Sequence, residues 1–286
     1  MVALFRPLHA ELRAGQVYTL LALLYALWLY GYTAGRDRLC GAALAGLALA
    51  KLAGWPLWLL MLEARRWRAL VWAIAVGAGA ALLTLPLLGL DFWLLYLLRQ
   101  APAIPADPES AVPAFQTLTS LLRQLLVYDA RWSPGPLLDA PWLASLLWWA
   151  IAAALVGVTL RQAQAARGRA RAGMAMLCLV VPLQPAGEEY HYTLLLLVVV
   201  VLTALAPWPL PPLRRVRGRI DQRYALRALA LPGLACTLLV LPAYFLASEA
   251  WAGWPRALLA YPRLYGALLL WGALSWAFLA PPLSEA

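Results

Sequence analysis

The chain has 286 residues, of which 64% are hydrophobic and 13% charged, with 15 tryptophans and a formal net charge of +10. A soluble domain carries about 25% charged residues, so a soluble globular protein is excluded and an integral membrane protein is implied. The excess charge is arginine confined to short loops between apolar runs, which points to a membrane surface and away from nucleic acid.

The first fifteen residues, "MVALFRPLHAELRAG", hold Pro, His and Glu and no apolar core of a signal peptide. Apolar stretches that predict spans follow at 17–34, 69–90, 141–160, 173–184, 190–206, 228–247 and 263–281. Each of the longer ones approaches the ~20 residues needed to cross ~30 Å of hydrocarbon. Cys40, Cys178 and Cys236 lie in or beside these segments without metal-ligand spacing and read as small hydrophobes. Gly41, Ala45, Gly77 and Ala81, at four-residue spacing, read as helix-packing positions.

Four connections, "GRDR" (35–38), "EARRWR" (63–68), "RQAQAARGRAR" (161–171) and "PPLRRVRGRIDQRYALR" (211–227), hold 15 of the 23 basic residues. Such loops belong in the cytoplasm. The connection 91–140 carries Asp91, Asp107, Glu109, Asp129 and Asp139 against three arginines, and belongs outside. Within it, "DFWLLYLLRQ" (91–100) and "FQTLTSLLRQLL" (115–126) predict helices lying at the outer surface or packed onto the bundle, the second with one apolar face. "PWPLPPLRR" (207–215) is a Pro-rich cytoplasmic connector.

One run conflicts with this scheme. Residues 39–62 are apolar except for Lys51, the chain's only lysine, yet both flanks are basic. Gly54 and Pro56 offer a break, because a helix interior tolerates proline poorly. The run is therefore expected to be a re-entrant hairpin of two half-helices with Lys51 near its tip. Irregular backbone at membrane depth requires a protein-lined or wet cavity. The tip should face such a cavity, and an ammonium there invites an anion such as a lipid phosphate.

With the hairpin, the first span runs from outside to inside. Its outward start implies further spans ahead of it, so the chain is expected to be N-terminally incomplete. A second constellation is "QPAGEEYHYTLLLL" (184–197), in which Glu188, Glu189, Tyr190 and His191 stand at the outer mouth of a span. The glutamates suit a helix N-terminus, and a histidine beside carboxylates suits sugar binding or proton transfer. The sequence has no Gly-rich phosphate loop, HExxH site or serine elbow, and nothing in it calls for a metal or cofactor.

The stretch "RAGQVYTLLALLYALWLYGYTAGRDRLCGAALAGLALAKLAGWPLWLLMLEARRWRAL" resembles the middle of glycosyltransferase family 87. These are membrane enzymes of the GT-C type, typified by polyprenyl-phosphate-mannose-dependent alpha-1,2-mannosyltransferases. Gly15, Gln16, Val17, Arg36, Arg38, Lys51, Pro56, Arg65, Arg66, Trp67 and Arg68 fit the family pattern, "FQTLTSLLRQLL" resembles its loop helix, and "EYHY" resembles its Trp-acid-His-His segment. Tyr18 stands where Asn is usual, Lys51 and Pro56 are spaced more widely, and only Pro185 remains of a Ser-Pro-x-Ser-Trp sequence.

The resemblance covers about residues 5–205. It implies an all-α, polytopic GT-C-like bundle of about seven spans plus the hairpin, forming a single transmembrane domain over 1–286. The localisation it implies is multi-pass in a bacterial cell membrane, with basic loops and C-terminus in the cytoplasm. It implies inverting transfer of a hexose, in first place mannose, from a polyprenyl-phosphate donor to a lipid or glycan acceptor on the outer face. Lys51 would bind the lipid phosphate, and Gln16, Glu189 and His191 the sugar or acceptor. The family's catalytic aspartate lies in an earlier outer loop, so the base is expected outside this chain, in a separate N-terminal half, with Glu11 a weak substitute. The alternatives are a transporter or flippase for a polyprenyl-linked glycan and an inactive truncated remnant.

Overall fold

The computed structural model describes residues 6–51, 54–100, 111–164, 169–205, 215–216, 219–220, 233–241 and 248–279. The Pro-rich connector at 207–214, the ends of the 228–247 segment, Asp107 and Glu109 lie outside the described residues. In chain order the helices are α1 (Arg6–Ala14), α2 (Tyr18–Ala34), α3 (Asp37–Lys51), α4 (Trp55–Glu63), α5 (Trp67–Leu88), α6 (Leu90–Leu95), α7 (Leu118–Leu126), α8 (Pro141–Gln164), α9 (Arg169–Val180) and α10 (Leu195–Leu205). They are followed by α11 (233–240) and α12 (Pro262–Leu279). A 3-10 turn, Glu189–Leu194, precedes α10, and Arg215–Val216 pairs antiparallel with Arg219–Ile220. Among the described residues the regular structure is thus helical, apart from this two-residue pairing and an isolated bridge between Asp129 and Ser133.

The run 39–62 is a hairpin and not a straight span. α3 stops at Lys51, Gly54 takes a left-handed φ of +82°, and Pro56 falls in the first turn of α4. Only glycine adopts that φ readily, and a first-turn proline loses no helical hydrogen bond. The two outer ends of the hairpin then meet. Arg66, just past α4, places Nη1 2.7 Å from Asp37 Oδ1 at the start of α3, and its Nη2 donates to Tyr32 O at 2.9 Å. One turn further in, Cys40 Sγ lies 3.5 Å from Met61 Sδ. The two basic flanks are therefore next to each other.

α9 forms the centre. Residues 172–183 are buried all round it, and it packs against α2, α4, α8, α10 and α12. A helix apolar on every face belongs inside. At twelve residues it is about 18 Å long, so the expected short span 173–184 is the buried axis of the bundle. α2 buries Leu21, Tyr25, Trp28 and Tyr32, one face of a 3.6-residue period, and its Leu29 and Tyr32 side chains lie against Gly173 of α9.

Among the described residues two helices, α5 and α8, are long and apolar enough to cross a membrane. The other expected spans coincide with shorter helices, so a count of seven rests on loop charges and not on helix length. The outer-loop helices diverge from each other. α6 and the π-turn after it expose Leu90, Phe92, Leu95 and Leu98. α7 is instead packed into the protein: Ser120 and Gln124, on its predicted polar side, are fully buried. Ser120 Oγ meets Tyr261 Oη at 2.8 Å, while Gln124 Nε2 donates to Ala111 O at 2.6 Å and Gln124 Oε1 accepts from Gly253 N at 2.9 Å.

Gly41 and Ala45 do pack, but Gly77 does not. A Cβ on Gly41 would collide with Ala69 O and stand 2.7 Å from Trp72 Cβ, whereas one on Gly77 would meet nothing within 4 Å. Gly41→Ala is expected to lose about 1–3 kcal/mol by forcing α3 off α5. Gly77→Ala should gain up to about 1 kcal/mol from helix propensity. Thermal unfolding in detergent measures both, and a stable Gly41→Ala protein would refute the close approach.

Candidate functional site

The hairpin sets Lys51 at the exposed C-terminal end of α3. Gly15, with φ +60°, turns the chain between α1 and α2 and presents Gln16 and Tyr18 to the same place. Pro185 and Gly187 interrupt the chain after α9, so the following residues form the tight Glu189–Leu194 turn, against which α1 packs. Three distant segments thereby converge.

Lys51 Nζ donates to Gln16 Oε1 at 3.1 Å. The ammonium also lies 4.6 Å from the centroid of the Tyr18 ring and 5.8 Å from that of Tyr190, within cation–π range. His191 packs against both rings, at 4.4 Å from Tyr18 and 4.8 Å from Tyr190. Tyr190 Oη donates to Glu188 Oε1 at 3.0 Å. The result is one cation on an aromatic wall, with a carboxylate and an imidazole at its edge.

His191 sits in the turn ahead of α10, and its Nδ1 has no hydrogen-bond partner among the described residues.

Gln16, Lys51 and His191, three of the residues singled out in the sequence, are thus together around Tyr18. Glu189 faces elsewhere: its Oε1 accepts from Arg263 Nη2 of α12, and that nitrogen also donates to Leu241 O at 2.8 Å. Glu11 is buried, accepts from Thr19 N, and has no hydrogen-bond partner for Oε2 among the described residues. Glu188 and Tyr190 belong to the second constellation, 184–197, without a role assigned to them, and Tyr18 is the site residue that the sequence reading misses. The visible signal for Tyr18 was its place in "GQVY", where the pattern expects Asn.

The chain matches the profile of glycosyltransferase family 87 over residues 1–183. This protein belongs to glycosyltransferase family 87. No curated protein and no solved structure matches the chain. The match contains Gln16, Tyr18 and Lys51 and ends before the Glu188–His191 turn, so this family 87 protein builds its site from matched and unmatched sequence. Membership makes sugar transfer in a membrane setting the activity class, and α5 and α8 agree with that setting.

Proposed function

We propose that the chain transfers a hexose, in first place mannose, from a polyprenyl-phosphate donor to an acceptor hydroxyl on the outer face. The reading is supported above all by Lys51, a solvent-open ammonium held by Gln16 and two tyrosine rings at the tip of an apolar hairpin. A leaving phosphate needs such a cation, and lysine binds phosphate as a point charge.

In the proposed reaction the acceptor oxygen attacks the anomeric carbon with inversion. The bond from that carbon to the phosphate oxygen breaks, and the lipid phosphate leaves with the electron pair. Lys51 stabilises the charge that develops there. Gln16 fixes the ammonium, and His191 hydrogen-bonds a sugar or acceptor hydroxyl. Glu189 acts through Arg263, holding the turn that carries His191. The acceptor proton passes to a carboxylate base. The topology that fits is about seven spans plus the re-entrant hairpin, with basic loops and C-terminus cytoplasmic and the hairpin tip open to the outer side.

The test is donor choice. Membranes carrying the protein are supplied with labelled mannose, either as the polyprenyl phosphate or as a nucleotide sugar, together with a total envelope glycolipid extract. Label is expected to reach the glycolipid fraction from the lipid donor alone. Transfer from the nucleotide sugar, with the lipid donor inert, would refute the proposal.

A further inference from the structure

A second charged place lies at the opposite end of α3 from Lys51. α5 comes so close to α3 there that a Cβ on Gly41 would stand 2.7 Å from Trp72 Cβ, so the first turns of the two helices lie side by side. A cavity of about 420 Å³ is lined by Gly35, Asp37, Arg38, Arg68 and Trp72. Gly35, with φ +73°, makes the turn that ends α2 and adds no side chain to the lining.

The charges of this cavity do not cancel. Asp37, the one acid in the lining, is taken by Arg66, whose guanidinium also donates to Tyr32 O. Arg38 and Arg68 are exposed, and among the described residues neither makes an ion pair or a side-chain hydrogen bond. Arg38 Cζ stands 5.3 Å from the centroid of the Trp72 ring. Arg68 precedes Trp72 by four residues on α5 and so shares its face. A lone exposed arginine is satisfied by water and would carry nothing. Here two reachable guanidinia share one concave space with the starts of two helices of 15 and 22 residues, whose positive dipole ends also favour an anion.

The surroundings point to the kind of anion. α5 is of membrane-crossing length, and Trp67 and Val71 in its first turns are 60% and 64% exposed. Tryptophan prefers the headgroup level of a bilayer, so Arg38 and Arg68 stand where lipid phosphates lie. Basic pockets between the ends of membrane helices suit such headgroups, and the guanidinium fork matches phosphate oxygens.

We infer that this cavity binds a phosphate group between Arg38 and Arg68, beside the Trp72 indole. A lipid headgroup presents that chemistry at this depth, and a free phosphate shares it. The site is a helix length away from Lys51, and its occupancy does not depend on the proposed transfer.

The test is equilibrium binding to the purified full chain in nonionic detergent, on a Lys51→Ala background that removes the cation at the hairpin tip. The probes are radiolabelled dioleoyl phosphatidic acid and, separately, radiolabelled inorganic phosphate, with unlabelled dioleoylglycerol as a competitor that has no phosphate. Arg38→Ala and Arg68→Ala should each weaken binding about tenfold, and the double variant about 100-fold. Arg131→Ala, which removes an equal charge from a surface ion pair elsewhere, should leave binding unchanged. Lysine at both positions keeps the charge, loses the fork and should bind with intermediate affinity; this variant carries the test if the alanine variants do not fold. Phosphatidic acid held while inorganic phosphate fails to displace it supports the site with a lipid headgroup as the source, whereas displacement by inorganic phosphate supports it with free phosphate. Binding of neither probe, unchanged affinity in the folded Arg38 and Arg68 variants, an equal loss in Arg131→Ala, or full displacement of phosphatidic acid by dioleoylglycerol would each overturn the inference.

Discussion

Alanine in place of Lys51 is expected to lower kcat/KM for transfer from a polyprenyl-phosphate sugar by about 100- to 1,000-fold. That is the usual effect of removing one group that stabilises charge developing on an oxygen in the transition state. Lys51 is exposed and fills no core position, so the variant should fold and insert normally. Lys51→Arg keeps the charge but not the compact geometry, and should recover part of the rate. Gln16→Ala leaves the ammonium in place and frees its position, so its loss should be smaller, about tenfold. Labelled-sugar transfer measures all three. Full turnover by Lys51→Ala would remove the phosphate-binding role from the lysine and with it the main support for the proposed donor.

The second large effect concerns stability. Arg263 is fully buried in α12, and Glu189 is its ion-pair partner, with an 18% exposed side chain. Removing one member of such a pair leaves an uncompensated charge inside and costs about 3–5 kcal/mol, whereas replacing both by apolar residues of similar volume is often neutral. Glu189→Ala should therefore unfold at a markedly lower temperature in detergent, and Glu189→Met with Arg263→Met should recover most of the loss. The pair of measurements separates two roles for Glu189. A stable double variant that still transfers sugar would make the carboxylate a holder of the His191 turn. A stable double variant with no transfer would return it to the substrate.

The hairpin was legible because two independent constraints met in one segment. Basic flanks at 35–38 and 63–68 demanded the same side, and Gly54 with Pro56 supplied the break. The salt bridge between Arg66 and Asp37 has the same origin, since the charges that refuse the membrane are the ones that pair. The site was legible in part. Lys51 and His191 drew notice as ionisable groups in apolar surroundings, but their common neighbour Tyr18 looked like any aromatic residue at the head of a span. Its role depends on where a residue 33 positions later is brought by the hairpin, and no local pattern carries that information.

α7 went the other way. Its apolar spacing predicted one buried face, yet Ser120 and Gln124 are buried too. Loop segments on the far side supply their hydrogen-bond partners. A polar helix face signals exposure only when no backbone groups are waiting to be satisfied there. The ion pair of Glu189 was hidden for a related reason: Arg263, its partner, is 74 residues away in a stretch that reads as a plain span.

The clasp between Asp37 and Arg66 gives the hairpin the mechanics of a pedestal. Fourteen helical rises separate Asp37 from Lys51, so the ammonium stands about 21 Å above the clasp. α4 returns over only nine residues, about 13.5 Å. The two legs are unequal, and the longer one alone sets the height of the charge. Evolution can therefore tune how far the lysine reaches by adding or deleting a turn of α3, without lengthening any span or moving a basic loop across the bilayer.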